Sequence, residues 1–411
     1  MIQRSVTRMI EPKLRFPEFK DSWNNYKIED MFDRVGTPVD LDDTQTYREI
    51  GIRSHGKGIF HKEETTATEI GNKRVFWVEP DCFVVNIVFA WERAVAKTTE
   101  KENGMIASHR FPMYKPKKDV VDLDYITEYF ITKRGQNVLI LASPGGAGRN
   151  KTLGQKEFAK SVVKLPSLPE QQKIAEFLST IDTVIAKQEE TVSAWEERKK
   201  GVMQKLFSQE VRFKADDGSE FPEWEEKKLG EVFEISTETN GDRYSKQEVL
   251  SVSDAYGVVN QIEHQGRSFA GNDISKYKVV KTGQIIYTRS PLANKPFGII
   301  KIVGKEIGIV SPLYIVNDVR ENNCSMFWYY NFDMSERTNN YLKPLVRMGA
   351  KHTMNISNEE WLSGKVSVPS LAEQQKIADC LSSLDEVIKK HKATLAAWEE
   401  LKKGLLQQMF V

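Results

Sequence analysis

Cysteine is nearly absent. Cys82, Cys324 and Cys380 are the only three in 411 residues. Their spacing suits neither a disulfide framework nor a metal knot, so a reduced, intracellular setting is expected. Six histidines accompany them, yet no CxxC, HxxxH or HExxH grouping occurs, which argues against a zinc site. Long apolar runs are missing as well. Nothing reaches the roughly 18 residues of a membrane span, and the opening "MIQRSVTRMIEPKLRF" has no signal-peptide core. A cytoplasmic protein with no membrane attachment is the expectation. Neither sign of charge is in excess, the formal net charge being +1. That excludes a uniformly basic surface and leaves room for local basic patches.

Catalytic signatures are lacking too. "GIRSHGKG", residues 51–58, has the GxxxxGK skeleton of a phosphate-binding loop. Gly58 stands where that loop needs a Ser or Thr hydroxyl for Mg²⁺, and the following "IFHKEETT" opens no helix, so a glycine-rich surface turn is expected. "PGGAG" at 144–148 precedes "RNKTL" rather than following a buried strand, which argues against a dinucleotide site. Pro80-Asp81 lacks the acidic-x-Lys triplet of a nuclease, and Glu197-Arg198-Lys199 has that form only within a charged helical face. No Asn- or Asp-Pro-Pro-aromatic tetrapeptide of an amino-methyltransferase occurs. The chain is expected to catalyse nothing itself and to hold no metal.

What the sequence does have is repetition. "LPSLPEQQKIAEFLSTID" starts at Leu165 and "VPSLAEQQKIADCLSSLD" at Val368; aligned at an offset of 203 through Phe207 and Phe410, 25 of 43 positions are identical. A second match, at an offset of 201, pairs "SWNNYKIEDMF" with "EWEEKKLGEVF", setting Trp23 on Trp224, Lys27 on Lys228 and Phe32 on Phe233. Repeats of this length decide architecture before local propensity does. The chain reads as two halves, each a variable module followed by a nearly constant tail.

The tails read as helices. Pro166, Pro169 and Pro369 mark rigid starts, and no proline follows within either tail. Apolar residues then recur in steps of four and three. The first seam is Ile174, Leu178, Ile181, Ile185, Val192 and Trp195; the second is Ile377, Leu381, Leu384, Ile388, Leu395 and Trp398. Such a seam, sustained over about five heptads, marks a coiled coil. Two equal seams in one chain offer each other a partner, so an antiparallel pair of helices, each about 57 Å long, is expected. Gln188 and Lys199 interrupt the first seam, His391 and Lys402 the second. Polar seam residues cost stability and fix register.

Within the modules, short β-rich runs ("CFVVNIVFAW", "KVVKTGQIIYTR", "FGIIKIVGKEIGIV") alternate with turn signals and with two helical stretches, "DYITEYFITKRGQNVLI" and "SMFWYYNFDMSERTNNYL". The expected fold class is α+β. Two α/β-type domains, 1–168 and 210–367, are each followed by a spacer helix, 169–209 and 368–411, in a pseudo-two-fold internal repeat.

Basic residues cluster near expected loops. Arg149, Asn150 and Lys151 end the first module, and Arg347, Lys351 and His352 stand at the matching point of the second. Lys115, Lys117 and Lys118 lie in "YKPKK", Arg53 and Lys57 in the glycine-rich turn, and Arg289, Asn294 and Lys295 in "YTRSPLANKP". Taken singly, each cluster reads as ordinary surface charge. Their matched placement in two modules on a rigid spacer points to nucleic acid, since such side chains suit phosphates and base edges alike. The competing class is a non-catalytic coiled-coil scaffold that binds protein or RNA.

The paired "PSLPEQQKIAEFL" and "PSLAEQQKIADCL", with "LRFPEFKDSWNNYKIEDMF" and "EWEEKKLGEVF", resemble the DNA-specificity (S) subunit of Type I restriction–modification systems. The resemblance spans essentially the whole chain. It implies that each module is a target-recognition domain reading one half of a bipartite site in double-stranded DNA. It further implies that the coiled coil sets the gap and docks two modification (methyltransferase) subunits. Those partners would carry S-adenosylmethionine and methylate adenine. Restriction subunits, ATP-dependent translocases and nucleases, would bring ATP and Mg²⁺. No cofactor is expected on this chain.

Overall fold

The computed structural model describes residues 12–145, 151–289, 292, 295–305, 307–348 and 354–410. They form two compact units, Met1–Glu190 with Lys392–Val411, and Thr191–His391. Each unit takes a portion of both long helices, Leu168–Phe207 and Leu371–Met409.

In the first unit, strands Asn24–Lys27 and Val162–Leu165 pair antiparallel, bringing the two ends of the module together beside the long helix. Strands Phe32–Val35, Phe83–Val85, Val95–Lys97 and Met113–Pro116 then form one antiparallel sheet in the order first, fourth, second, third. A further sheet runs Thr37–Pro38, Val75–Trp77, Ile106–Ser108, Thr46–Ile52, Ile59–Thr66, with Glu49 and Ile106 as its single parallel pair. The core gathers Phe83, Tyr125, Phe130 and Phe158 around Leu178 of one long helix and Phe410 beyond the other. Fully burying side chains of this size contributes about 1.5–3 kcal/mol each.

The second unit follows the same plan. Strands Glu225–Lys228 and Lys365–Val368 close its module. Strands Phe233–Ile235, Ile285–Thr288, Ile299–Ile302 and Ile315–Val319 repeat the first–fourth–second–third order. The distal strands recur in shorter form. Leu250–Ser253 pairs with Gly257–Asn260, Lys278–Val280 with Gly308–Val310, and a parallel bridge joins Val249 to Ile309. Trp361 anchors this core, stacked on Tyr287 at 4.8 Å with its indole N–H donated to Asn317 Oδ1 at 2.8 Å. The duplication seen in the tails therefore extends through both modules, where sequence identity has gone.

Each expected long helical stretch inside a module is two helices. Leu123–Ile131 and Lys133–Leu141 meet at Thr132, whose extended backbone (φ −67°, ψ 164°) lets its hydroxyl accept from Gly135 N. Ser325–Asp333 and Ser335–Leu342 break at the matching Met334 (φ −72°, ψ 108°). A capping hydroxyl at Thr132 ends the first helix without any proline. The spacer helices also depart from the expected limits of 169–209 and 368–411. The first starts at Leu168 and ends at Phe207; the second waits until Leu371, because Val368 is still bonded in a strand.

The helices pair antiparallel within each unit. Ile174, Leu178 and Ile181 share the first core with Leu405 and Met409, while Met203 and Leu206 share the second with Ile377 and Leu381. All the seam residues named above are buried or half-buried. "GIRSHGKG" is the last two residues of the strand Thr46–Ile52 and the turn that leads to Ile59–Thr66. His55, Gly56 and Gly58 take left-handed φ of 64°, 69° and 74° there, a turn geometry that opens no helix for phosphate.

Candidate nucleic-acid interface

The identical Glu-Gln-Gln of each tail is an anchor. Glu170, almost fully buried, accepts from Arg15 Nε at 2.7 Å and Nη2 at 2.8 Å. Glu373 accepts from Arg212 Nε at 3.0 Å, Arg212 Nη2 at 2.9 Å and Trp224 Nε1 at 3.1 Å. The hydrogen bonds to Glu373 hold the Arg212 guanidinium still more firmly protonated than usual. The next residue grips the module. Gln171 accepts from Asp122 N at 3.0 Å and donates to Val120 O and Pro166 O; Gln374 accepts from Cys324 N at 2.8 Å and donates to Pro369 O. Asp122 and Cys324 are the N-caps of the matching module helices, so one glutamine fixes each module to its long helix.

The seam lysines pair across the coil. In the first unit Lys402 Nζ lies 2.7 Å from Asp182 and 3.2 Å from Glu128. In the second, Lys199 Nζ lies 2.6 Å from Asp385, which also accepts from the Tyr330 hydroxyl at 2.7 Å. Burial pushes the Glu128 carboxyl above its usual range, with Lys402 opposing. Burial works against the Lys402 ammonium, and Glu128 and Asp182 overcome it, raising its pKa.

The distal end of each module ties its hairpin turn to the loop between the second and third strands of the four-stranded sheet. In the first unit Ser54 Oγ donates to Glu92 Oε2 at 2.9 Å, and the backbone of His55 and Gly56 donates to Glu92 O and Arg93 O. In the second unit Lys295 Nζ lies 2.5 Å from Asp254 of the hairpin turn. The acid is on the loop in one module and on the hairpin in the other. Burial opposes ionisation of Asp254, and Lys295 with Lys301 overcomes it, holding the carboxyl low.

These ties sort the basic residues named from the sequence. Lys295 is buried and engaged by Asp254, so its charge serves the module interior rather than an open loop. Lys115 Nζ donates to Pro80 O at 2.7 Å. Lys117 donates to Glu29 O at 3.2 Å and lies 3.7 Å from Asp33. Arg347 is 84% exposed and pairs with Glu360 at 2.9 Å. Arg289 is half-buried, with no hydrogen-bond partner for its Nε among the described residues. Lys151 sits 5.9 Å from the Trp91 ring centroid, on the loop that carries Glu92. Arg53 and Lys57 are exposed on the hairpin turn. Arg149, Asn150, Asn294, Lys351 and His352 lie outside the described residues. In the first unit, then, the hairpin turn that carries Arg53 and Lys57 is tied to the 86–94 loop, and Lys151 lies against Trp91 of that same loop.

Sequence reasoning passed over the anchoring Arg15 and Arg212 and the exposed Arg267. "LRF" and "VRF" ahead of each module were the available signal for the first two. Burial pushes the Cys82 thiol up to about 11. No group of three His, Cys, Asp or Glu among the described residues could hold a metal ion. No helix there is long and apolar enough to cross a membrane.

Fold and interface define a duplicated coiled-coil protein with two related heads of unlike surface chemistry. Comparison with known proteins makes this specific. A model of the Type I restriction modification DNA specificity domain matches residues 20–193 and again 222–399. The chain belongs to that family, and its function is DNA-sequence specificity in a Type I restriction–modification system. It is 28% identical over 280 residues to the Type I restriction enzyme MjaVIII specificity subunit of Methanocaldococcus jannaschii, spanning 61% of this chain and 62% of that one. A second relative from the same organism, assigned as the MjaX specificity subunit, is 23% identical over 312 residues, 72% of this chain and 68% of its own. The fold is shared with the crystallised S subunit of a Type I system from M. genitalium, at a TM-score of 0.55 and 14% identity, covering 98% of this chain and 99% of that chain. The protein- or RNA-scaffold alternative finds no support in these comparisons.

Proposed function

We propose that each module reads one half of a bipartite duplex target, and that the paired helices hold the heads at a set spacing and dock two modification subunits. The observation that carries this reading is the duplicated scaffold with exchanged chemistry at its tips. One fold plan presents Arg53, His55 and Lys57 in the first head, and Asp254 and Tyr256 in the second. Two identical heads would read a symmetric site; two unlike heads suit a split, asymmetric one. The repeated anchors and lysine pairs give each half of the chain an equivalent helical face for a partner. Adenine methylation with S-adenosylmethionine, and ATP- and Mg²⁺-dependent cleavage, belong in this reading to the modification and restriction subunits.

Methylome sequencing of cells carrying this chain with its modification partner tests the proposal. A bipartite motif with a fixed gap is expected. A contiguous or palindromic motif, or none, overturns it.

A further inference from the structure

Base readers belong where the two heads differ, since groups common to both can contribute only what both half-sites share. The closing strands, four-stranded sheets and anchors are common. The distal hairpins and the segments after them are not. Within those distal parts, one exposed arginine in each head lies over a phenylalanine ring at 4.7 Å: Arg53 over Phe60, and Arg267 over Phe269.

The stacking is built into each local fold. Gly51 is the cross-strand partner of Phe60, and a Cβ there would come within 2.3 Å of the Phe60 ring. The missing side chain lets Phe60 lie across the hairpin, where it supports Arg53, whose Nη1 also donates to Ile59 O at 3.3 Å. In the other head, helix Gln261–Gln265 ends at left-handed Gly266 (φ 77°), and the chain turns directly into Arg267. Gln261 braces that turn: its Oε1 accepts from Phe269 N at 2.8 Å, and its Nε2 donates to Ser251 Oγ at 2.8 Å. Tyr256, 69% exposed at the hairpin tip, packs on His264 at 4.7 Å, extending the aromatic and cationic surface.

Neither arginine forms an ion pair with a carboxylate among the described residues. That separates them from Arg15, Arg212, Arg243, Arg320 and Arg347, whose guanidiniums meet acids. A guanidinium held over a ring loses little rotamer freedom on binding and keeps donors available: Arg53 spends only Nη1, in a long bond to Ile59 O, which leaves Nε and Nη2. Two parallel N–H donors match the O6 and N7 acceptors of guanine in the major groove.

We propose that Arg267 on Phe269 and Arg53 on Phe60 are base-reading residues, each recognising a guanine in the half-site of its own head. This rests on the DNA-reading function proposed above.

The test uses the full chain with its modification partner. The wild-type motif is determined first by methylome sequencing, then those of Arg267→Ala, Arg267→Lys, Arg53→Ala and Arg53→Lys. Thermal melts confirm that the variants fold. Arg267→Ala is expected to relax one guanine position in one half-site, leave the other half unchanged, and weaken cognate binding about 10- to 100-fold. Arg53→Ala does the same in the opposite half. Lysine is not expected to restore either, because an ammonium lacks the fork. Equal weakening on all sequences, restored by lysine, identifies a phosphate contact and overturns the proposal. So does an unchanged motif at unchanged affinity, or a half-site that contains no guanine. A wild-type complex that methylates no bipartite site fails the underlying function instead, and the two failures are thereby distinct.

Discussion

Lys402 Nζ lies 2.7 Å from Asp182 Oδ1, and the same pair recurs as Lys199 and Asp385 at 2.6 Å with the two helices exchanged. In both units the lysine's partner is on the opposite long helix. An apolar seam tolerates more than one register and direction, whereas a half-buried ion pair at a single place favours one.

Replacing this lysine should expose a pH dependence. Glu128, lifted by burial, is opposed by Lys402, so Lys402→Met leaves it lifted further. A carboxyl whose folded pKa is raised is most favourable below its unfolded value near 4.5, and stability falls as pH rises through the folded value. Lys402→Met is therefore expected to cost about 3–5 kcal/mol at neutral pH and distinctly less at pH 5. Urea midpoints at the two pH values measure it. Adding Glu128→Gln should recover most of the loss; a deficit independent of pH would assign the cost to packing.

The anchors should act locally. Glu373→Ala takes the bidentate partner from the half-buried Arg212, which keeps Glu223 at 3.1 Å and two backbone carbonyls, so a loss of about 1.5–3 kcal/mol is expected. Hydrogen exchange should quicken across 212–228 and remain unchanged across 15–27. Equal quickening in both segments would contradict a separate anchor for each module.

Head exchange tests where specificity resides. Replacing residues 229–364 by the corresponding segment of a relative is expected to change one half-site and preserve the other together with the gap. A change in both halves, or in neither, is incompatible with modular reading.

The helices can be tested as a ruler. Deleting 184–190 and 387–393 removes one heptad from each and keeps both seams in phase. The coil shortens by about 10.5 Å, roughly three base pairs at 3.4 Å each. A rotation of about 100° around the duplex accompanies this, since a turn takes about 10–10.5 base pairs, so weaker binding is also expected. A folded, active deletion mutant that kept the original gap would show that the helices do not set it.

Lys151 supplies the electrostatic control. Its ammonium sits by Trp91 with no carboxylate bonded to it among the described residues. Lys151→Ala is expected to reduce the salt slope of duplex binding by about one unit and leave the motif intact. An unchanged slope would return Lys151 to plain surface.

The coil was legible because its signal is periodic: Ile174 through Trp195 and Ile377 through Trp398 announce the seam without any long-range contact. The repeated Glu-Gln-Gln was equally visible, but its purpose was not, since Arg15 and Arg212 lie 155 and 161 residues from their glutamates. Lys295 read as a loop cation because its acid, Asp254, stands 41 residues away. The distal sheets stayed hidden for a related reason. Outside the two hairpins their strands are two or three residues long and pair with non-consecutive partners, too short for alternation to distinguish strand from loop. Thr132 broke a helix that apolar spacing alone would have carried through.

The strands that open and close each module bond to each other, Asn24–Lys27 with Val162–Leu165 and Glu225–Lys228 with Lys365–Val368. Whatever lies between them hangs from a two-stranded stem whose ladder is made of backbone groups and asks little of side-chain identity. A head is thus a cassette with one socket, and its two cut points are spatial neighbours although they stand well over a hundred residues apart in the chain. Recombination at those points can install a new reader while leaving the glutamate anchor and the helix behind it in place, provided that the incoming module again offers backbone groups to the glutamine clamp. The stem turns a change of specificity into one splice rather than a redesign of the fold.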